Sequence, residues 1–406
     1  MVKYSGFAVD NLNKVLSYLG AAAVTNPVSL VAPVGISFYT FQAMGYVIDV
    51  YRGTSPAERD IVRYACYASF FPTITSGPIQ RSTVLLADLR DGFPTRRLWD
   101  YDRIVSGLVT ILWGVFLKLV LADRLGILVD KVFGSWWMYG SVETVLAAVA
   151  YSFQILTDFA GYSEIALGSA RILGFELPEN FHVPYLATSI QDFWRRWHIS
   201  LSTWFRDYLY FPLGGSRCSA ARRYLNVLVV FVTCGIWHGV GWHYVVWGLL
   251  HGALQDIGIA TRPAKERLFG RIGARTDTSS WHIGKVLVTF ALVTVCWVFF
   301  RAESLGMAVH MLWRVVSRLD PWVLFDGSLL ELGLTQTDVN VLLFGLAVLA
   351  VVGLLHDRRD LDFAALLAPQ SMWFRWAVLL VLVVCVFVFG EYRPNVTSAS
   401  FIYAGF

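Results

Sequence analysis

Apolar residues in this 406-residue chain are concentrated in runs that approach the length needed to cross a lipid bilayer. A spanning helix needs about 20 apolar residues, because each residue adds about 1.5 Å and the hydrocarbon layer is about 30 Å thick. The pattern therefore predicts an all-α, polytopic integral membrane protein that forms a single domain over residues 1–406. The six candidate spans are Val105–Leu121, Val142–Leu156 with its polar extension, Trp242–Ala260, Val286–Phe300, Val339–Leu355 and Phe374–Gly390.

Two further apolar stretches are interrupted by helix-breaking residues. Pro33 and Gly35 lie within Pro27–Tyr51, and Pro72 lies within Tyr64–Thr75. Proline removes a backbone donor and glycine weakens a helix, so these stretches predict bent or re-entrant pieces. Such pieces are tolerated at membrane depth only where protein surrounds them.

Composition supports a membrane location. The chain is 56% hydrophobic and 15% charged, with a mean hydropathy of +0.55, which is too apolar for an ordinary soluble protein of this size. A net charge of +4 without a long basic tail does not indicate a nucleic-acid partner. We expect no cleavable signal peptide at the N-terminus, and the lack of an internal repeat disfavours an inverted-repeat transporter.

The distribution of basic residues predicts which loops face the cytoplasm. Arg217–Arg223 and Arg262–Arg275 are the most basic loops, so the positive-inside rule places both in the cytoplasm of a multi-pass protein of the plasma or inner membrane. Between them, Tyr224–Ile236 supplies only a dozen apolar residues. We therefore expect a hairpin whose first arm ends within the membrane and whose tip is Gly235–Gly241.

The segment Gln191–Tyr208 is amphipathic when it is plotted as one helix. Trp197 and His198 fall on an aromatic stripe, whereas Arg195 and Arg196 lie on the opposite side. This pattern predicts a helix at the membrane surface or at the mouth of a membrane cavity, with His198 on its buried side. The full stripe is Trp194, Trp197, His198, Leu201, Trp204, Phe205 and Tyr208.

Two histidines are candidates for chemistry. His238 lies in the sequence GIWHG, next to Trp237 and at a predicted break in the membrane. Imidazole titrates near neutral pH, so His238 can take a proton from a hydroxyl, although it can also simply hydrogen-bond to a helix end. His198 can position a substrate or be a satisfied core residue, and the sequence favours neither. The spacing of His238, His243 and His251 matches no zinc signature, so no metal site is predicted.

Charged residues suggest further contacts. Asp158 lies on the polar side of an apolar helix, where it can pair with an arginine, orient a histidine or make a structural hydrogen bond. Lys118 is expected to extend toward the membrane interface. Arg195 and Arg196 belong to a basic surface that can hold a phosphate-bearing donor or anchor the protein to anionic lipid, and the pattern favours the anchor.

Five segments together resemble the membrane-bound O-acyltransferase family, and within it the alginate O-acetyltransferase branch. They run in order from residue 33 to residue 252, the motif-rich core of the chain. The segments are PVGISFYTFQAMGYVIDVYRG, FPTITSGPIQR, DFAGYSEIALGSARILGFELPENF, QDFWRRWHISLSTWFRDYLYFPLGG and GIWHGVGWHYVVWGLLHG. Members of that branch usually have several transmembrane helices before the first segment, so we expect either a start upstream of Met1 or a shorter version of the protein.

The resemblance implies a funnel-shaped, multi-helix fold and an O-acyltransferase activity. His238 is then the principal catalytic residue and His198 the second, while Asp158, Trp197, Arg195, Arg196 and Trp237 are candidate substrate contacts. The donor would be acetyl-CoA or another acyl thioester on the cytoplasmic side, with no bound cofactor. The acceptor would be a surface or secreted polysaccharide, reached through an extracytoplasmic partner. The alternatives are export of a polymer precursor, D-alanyl transfer to a cell-wall polymer, and a scaffold role.

Overall fold

The computed structural model describes residues 4–25, 35–92, 96–97 and 99–392, and within these ranges the chain is helical with no β-strand. This confirms the predicted all-α class. The predicted break at Pro33 lies outside the described residues. The helices are α1 Ser5–Tyr18, α2 Ile36–Tyr51, α3 Ile61–Ala68, α4 Tyr101–Gly134, α5 Ser141–Leu173, α6 Ile190–Arg196, α7 Ile199–Phe205, α8 Ala220–His238, α9 Trp242–Arg271, α10 Ser279–Arg301, α11 Leu305–Ser317, α12 Gln336–Arg359, α13 Phe363–Leu367 and α14 Met372–Phe389.

Six of the described helices are long and apolar enough to cross a membrane, so the protein is a multi-pass membrane protein. These helices are α4, α5, α8, α10, α12 and α14. Five of the six predicted spans coincide with one of them. The sixth, Trp242–Ala260, lies in α9, which is not among the six. Polar residues such as Gln255 and Asp256 make this helix less apolar than the prediction assumed.

Helix α8 is longer than the dozen apolar residues on which the predicted first arm of the hairpin was based. Helix α8 has 19 residues and begins at Ala220, because Ser219 caps its N-terminus by accepting a hydrogen bond from the Arg222 backbone N–H. Basic residues in this first turn can hold their charged ends in water, so they do not shorten the helix. His238 is the last residue of α8, and the turn Gly239–Gly241 leads into α9, so the tip is shorter than the predicted Gly235–Gly241, whose first four residues lie in α8.

Glycines bring the backbones of α4 and α5 into direct contact. A Cβ atom added at Gly114 would lie 2.5 Å from the Gly161 carbonyl oxygen, and one added at Gly168 would lie 2.5 Å from the Gly107 carbonyl oxygen. Because Gly107 faces Gly168 and Gly114 faces Gly161, the two helices run antiparallel. Small residues permit this close approach, which strengthens packing between helices in a membrane.

Glycines also bring the backbones of α8 and α9 into direct contact. A Cβ at Gly235 would lie 2.3 Å from the Tyr244 carbonyl oxygen, and a Cβ at Gly248 would lie 2.2 Å from the Phe231 carbonyl oxygen. No side chain fits at either glycine without moving a backbone. The tight pairing fixes the end of α8, and therefore the position of His238.

Lys118 does not reach the membrane interface, so that expectation is wrong. Its Nζ lies 2.6 Å from Asp158 Oδ1 and 2.8 Å from Asp123 Oδ1. The lysine side chain is 12% exposed, and those of Asp123 and Asp158 are 8% and 2% exposed. Two buried carboxylates therefore hold the ammonium inside the protein, at a turn of α4 that widens to π-helical hydrogen bonding.

Candidate active site

The segment Gln191–Tyr208 was predicted to be one continuous helix, but in the structure it is broken into two. It forms α6 and α7, which are separated at Trp197 and His198. His198 has φ 43° and ψ 55°, the left-handed region that non-glycine residues rarely adopt. Such strain persists only where the surroundings enforce it, and it is concentrated at functional sites. The predicted burial of the stripe is confirmed except at Tyr208, which is only partly buried.

Asn180 holds the imidazole of His198. Asn180 Oδ1 lies 3.1 Å from His198 Nδ1, and it accepts hydrogen bonds from the backbone N–H and the hydroxyl of Ser200. Because Oδ1 can only accept, His198 Nδ1 carries the proton of this pair. The basic lone pair of the neutral ring is then on Nε2. Asn180 thus fixes both the orientation and the tautomer of His198.

Burial keeps His198 neutral. The side chain is completely buried, with its ring edge-on to Phe159 at a centroid distance of 4.7 Å. Loss of hydration disfavours the imidazolium form and lowers the pKa of His198 to about 3. His198 is therefore uncharged at physiological pH, as a ring that accepts a proton or a hydrogen bond must be.

His238 lies at the end of α8 in a second aromatic pocket. It is 2% exposed, and its ring contacts Trp237, Trp247 and Phe300 at centroid distances of 4.8, 5.0 and 5.3 Å. The Trp237 indole also lies 6.4 Å from the His198 ring. The two histidines, 40 residues apart in the sequence, are therefore both in contact with one buried indole.

The other predicted contact residues are dispersed. Asp158 is ion-paired with Lys118, although its neighbour Phe159 contacts His198. Trp197 is buried in the core with Phe181, Phe193 and Trp297. Arg196 binds Asp192 and Asp357, so it is already neutralised. Arg195 is exposed and faces a large groove.

This groove has a volume of about 1800 Å³ and lies between α6, α7, α8, α9 and α10. Its apolar floor includes Leu201, Phe231 and Cys234, which are close in sequence to His198 and His238. Six cationic side chains line it against one carboxylate, Glu266, which is bound to Arg262. Such a groove can hold a molecule with an anionic head and an apolar tail. The cationic residues are Arg195, Arg206, Arg223, Arg262, Lys265 and Lys285.

Sequence reasoning missed two residues beside the histidines. Asn180 ends the motif PEN, but nothing in the sequence indicates that it faces His198. Trp247 is 1% exposed, and its Nε1–H has no hydrogen-bond acceptor among the described residues although it is buried. A buried donor without an acceptor is costly, so its presence beside His238 suggests a transient partner.

Comparisons with known proteins identify relatives over most of the chain. Residues 56–300 match the model of MBOAT, the membrane-bound O-acyltransferase family. The chain is 38% identical over 364 residues to a protein of Azotobacter vinelandii described as a probable alginate O-acetylase, covering 87% of this chain and 66% of that protein. It is 32% identical over 334 residues to the peptidoglycan O-acetyltransferase of Helicobacter pylori, covering 76% and 60%.

A relative of lower identity is named for the transfer of a different acyl group. The teichoic acid D-alanyltransferase of Bacillus subtilis is 30% identical over 246 residues, covering 56% of this chain and 59% of that protein. The chain thus spans two thirds or less of the length of these curated relatives.

Proposed function

The chain belongs to the membrane-bound O-acyltransferase family, and from this premise we propose that it transfers acetyl groups to hydroxyls of a cell-surface or secreted polysaccharide. The observation that carries the proposal is the pairing of His198 and His238 around Trp237, in a buried site beside a cationic groove. The relatives named as O-acetyltransferases support acetyl as the acyl group, and the family favours transfer over export of a precursor.

The groove supports an acyl thioester as the donor. Its cationic rim suits the phosphates of a carrier such as coenzyme A, and its apolar lining includes Leu201 and Cys234, which are close in sequence to His198 and His238. Under this proposal Arg195 contacts the donor, whereas Arg196 stabilises the fold through Asp357. The donor would be a substrate and not a bound cofactor.

The acceptor would approach from the extracytoplasmic side of the inner membrane, through a partner protein that carries the acyl group to the polymer.

His238 is proposed as the general base. As the acceptor oxygen attacks the thioester carbonyl carbon, its proton moves to the imidazole, and a C–O bond forms. The C–S bond then breaks, and the leaving thiolate takes the proton from the imidazolium. The products are an ester and a free thiol. His198, oriented by Asn180 and kept neutral by burial, orients the acceptor or the Trp237 indole against which both rings lie.

Trp247 is proposed to stabilise the oxyanion formed during this attack. Its ring lies 5.0 Å from that of His238, and its buried Nε1–H has no acceptor among the described residues. Trp247→Phe keeps an aromatic ring but removes the donor, so we expect kcat to fall by about 10²-fold. The measurement is acetyl transfer by purified protein, with the exposed Trp313→Phe as a matched control. Equal rates for the two variants would contradict this role.

The function is tested by deleting the gene and measuring ester-linked acetate on purified surface polysaccharide. We expect acetate to be lost and to return when the wild-type gene is restored. Loss of ester-linked D-alanine with unchanged acetate would instead assign the other acyl group. No change in either ester would contradict acyl transfer to a polysaccharide.

A further inference from the structure

A cluster of metal-ligating side chains lies apart from the two histidines of the active site. Glu179 and His182 are in the loop that follows α5, and His356 is in the last turn of α12. One ligand atom from each lies within 4.8 Å of the others. We propose that Glu179, His182 and His356 bind a divalent transition metal of the zinc class.

The distances suit a small tetrahedral site. His182 Nδ1 lies 3.3 Å from Glu179 Oε2, and His356 Nε2 lies 3.0 Å from Glu179 Oε1. Two ligands of a tetrahedral ion with bonds of about 2.0–2.1 Å are about 3.3 Å apart. Two imidazoles and one carboxylate are a donor set that zinc and its neighbours prefer over magnesium or calcium.

The surroundings contain the parts that support a metal. Asp357 Oδ1 lies 4.0 Å from His182 Nε2, the nitrogen turned away from Glu179, and Arg196 holds that carboxylate at 2.6 Å. A carboxylate behind a ligating histidine sets its orientation and raises its basicity. Asp360 Oδ1 lies 3.9 Å from His182 Nδ1 and its side chain is 90% exposed, so it can turn to supply a fourth ligand.

Charge in the cluster also favours a dication. Within the part of the chain that the structure describes, Glu179 is paired only with the two histidines. Asp360 adds negative charge near His356. The side chains of the three ligands are between 18% and 35% exposed, so an ion can reach them from solvent.

A metal here would fasten α12 to the loop that positions His198. Asn180 follows Glu179 directly and accepts a hydrogen bond from the Ile199 backbone N–H, while the His182 N–H donates to the Arg196 carbonyl. The loop is thus attached to both sides of the break at His198. Metal binding does not depend on the proposed acyl transfer. Only the functional meaning of this link to His198 rests on that proposal.

The test is zinc binding by untagged, chelator-stripped protein in detergent, because a polyhistidine tag would itself bind zinc. We expect one equivalent of zinc by elemental analysis after gel filtration, and binding at least about tenfold weaker in His356→Ala and Glu179→Gln. The exposed His282→Ala is the matched control and keeps wild-type stoichiometry. Cobalt substitution should give the visible absorption of a tetrahedral site.

A thermal measurement separates metal loss from misfolding. Zinc should raise the melting temperature of the wild type and of His282→Ala, because a ligand bound only to the folded state stabilises it. It should not raise that of His356→Ala, whose melting temperature without metal should match that of the stripped wild type. A wild type that binds no more zinc than His356→Ala would overturn the site, whatever the outcome for polysaccharide acetylation.

Discussion

Replacement of His238 by alanine is expected to abolish acetyl transfer while the protein remains folded in the membrane. A general base contributes about 10²–10⁴-fold to a reaction rate, and the His238 ring is in contact with Trp237 at the end of α8. The rate of acetyl transfer by purified protein, and ester-linked acetate in complemented cells, should therefore both fall to near the background of the deletion strain.

Two variants separate lost chemistry from lost packing. His238→Gln retains a polar side chain of similar size without a basic nitrogen, and it should be as inactive as His238→Ala. His243→Ala removes a nearby buried histidine whose ring contacts Tyr244, and it should retain most of the activity. Intrinsic tryptophan fluorescence and gel filtration should be alike for all three. Near wild-type transfer by a folded His238→Gln would remove His238 from the proposed mechanism.

The membrane helices were predictable because the signal is local. A run of apolar residues long enough for the bilayer, such as Val339–Leu355 or Phe374–Gly390, identifies a span without knowledge of its neighbours. The hairpin tip was predicted instead from an apolar run that is shorter than the bilayer requires, Tyr224–Ile236. The helical plot of residues 191–208 identified the buried residues but not the break at His198. The reason is that aromatic residues on both sides of this break pack against the same core.

The contacts that organise the candidate site were not predictable, because they join distant parts of the chain. Asn180 is 18 residues from His198, and no local pattern connects an amide in a loop with an imidazole beyond it. Glu179 and His356 are separated by α6 to α11. Only tertiary packing brings these groups together, so residue spacing gave no zinc signature even where ligand atoms meet in space.

Lys118 is the other residue whose loss is expected to have a large effect, and here the effect is on stability. Lys118→Met would leave Asp123 and Asp158 buried without the ammonium that both contact at 2.6–2.8 Å. Removing one partner of a buried ion pair costs about 3–5 kcal/mol, because the remaining charge has neither water nor a counterion. We expect a loss of this size in the free energy of unfolding, measured by denaturation in mixed micelles.

The matched control removes the charges together. In a Lys118→Met, Asp123→Asn, Asp158→Asn variant no uncompensated charge remains, and replacing a whole buried ionic group is often close to neutral. This triple variant should therefore be more stable than Lys118→Met alone, although it carries more substitutions. If the single variant were as stable as the wild type, Lys118 would be exposed to water or headgroups at the interface, as the sequence alone suggested, and α4 and α5 would not share a buried ionic centre.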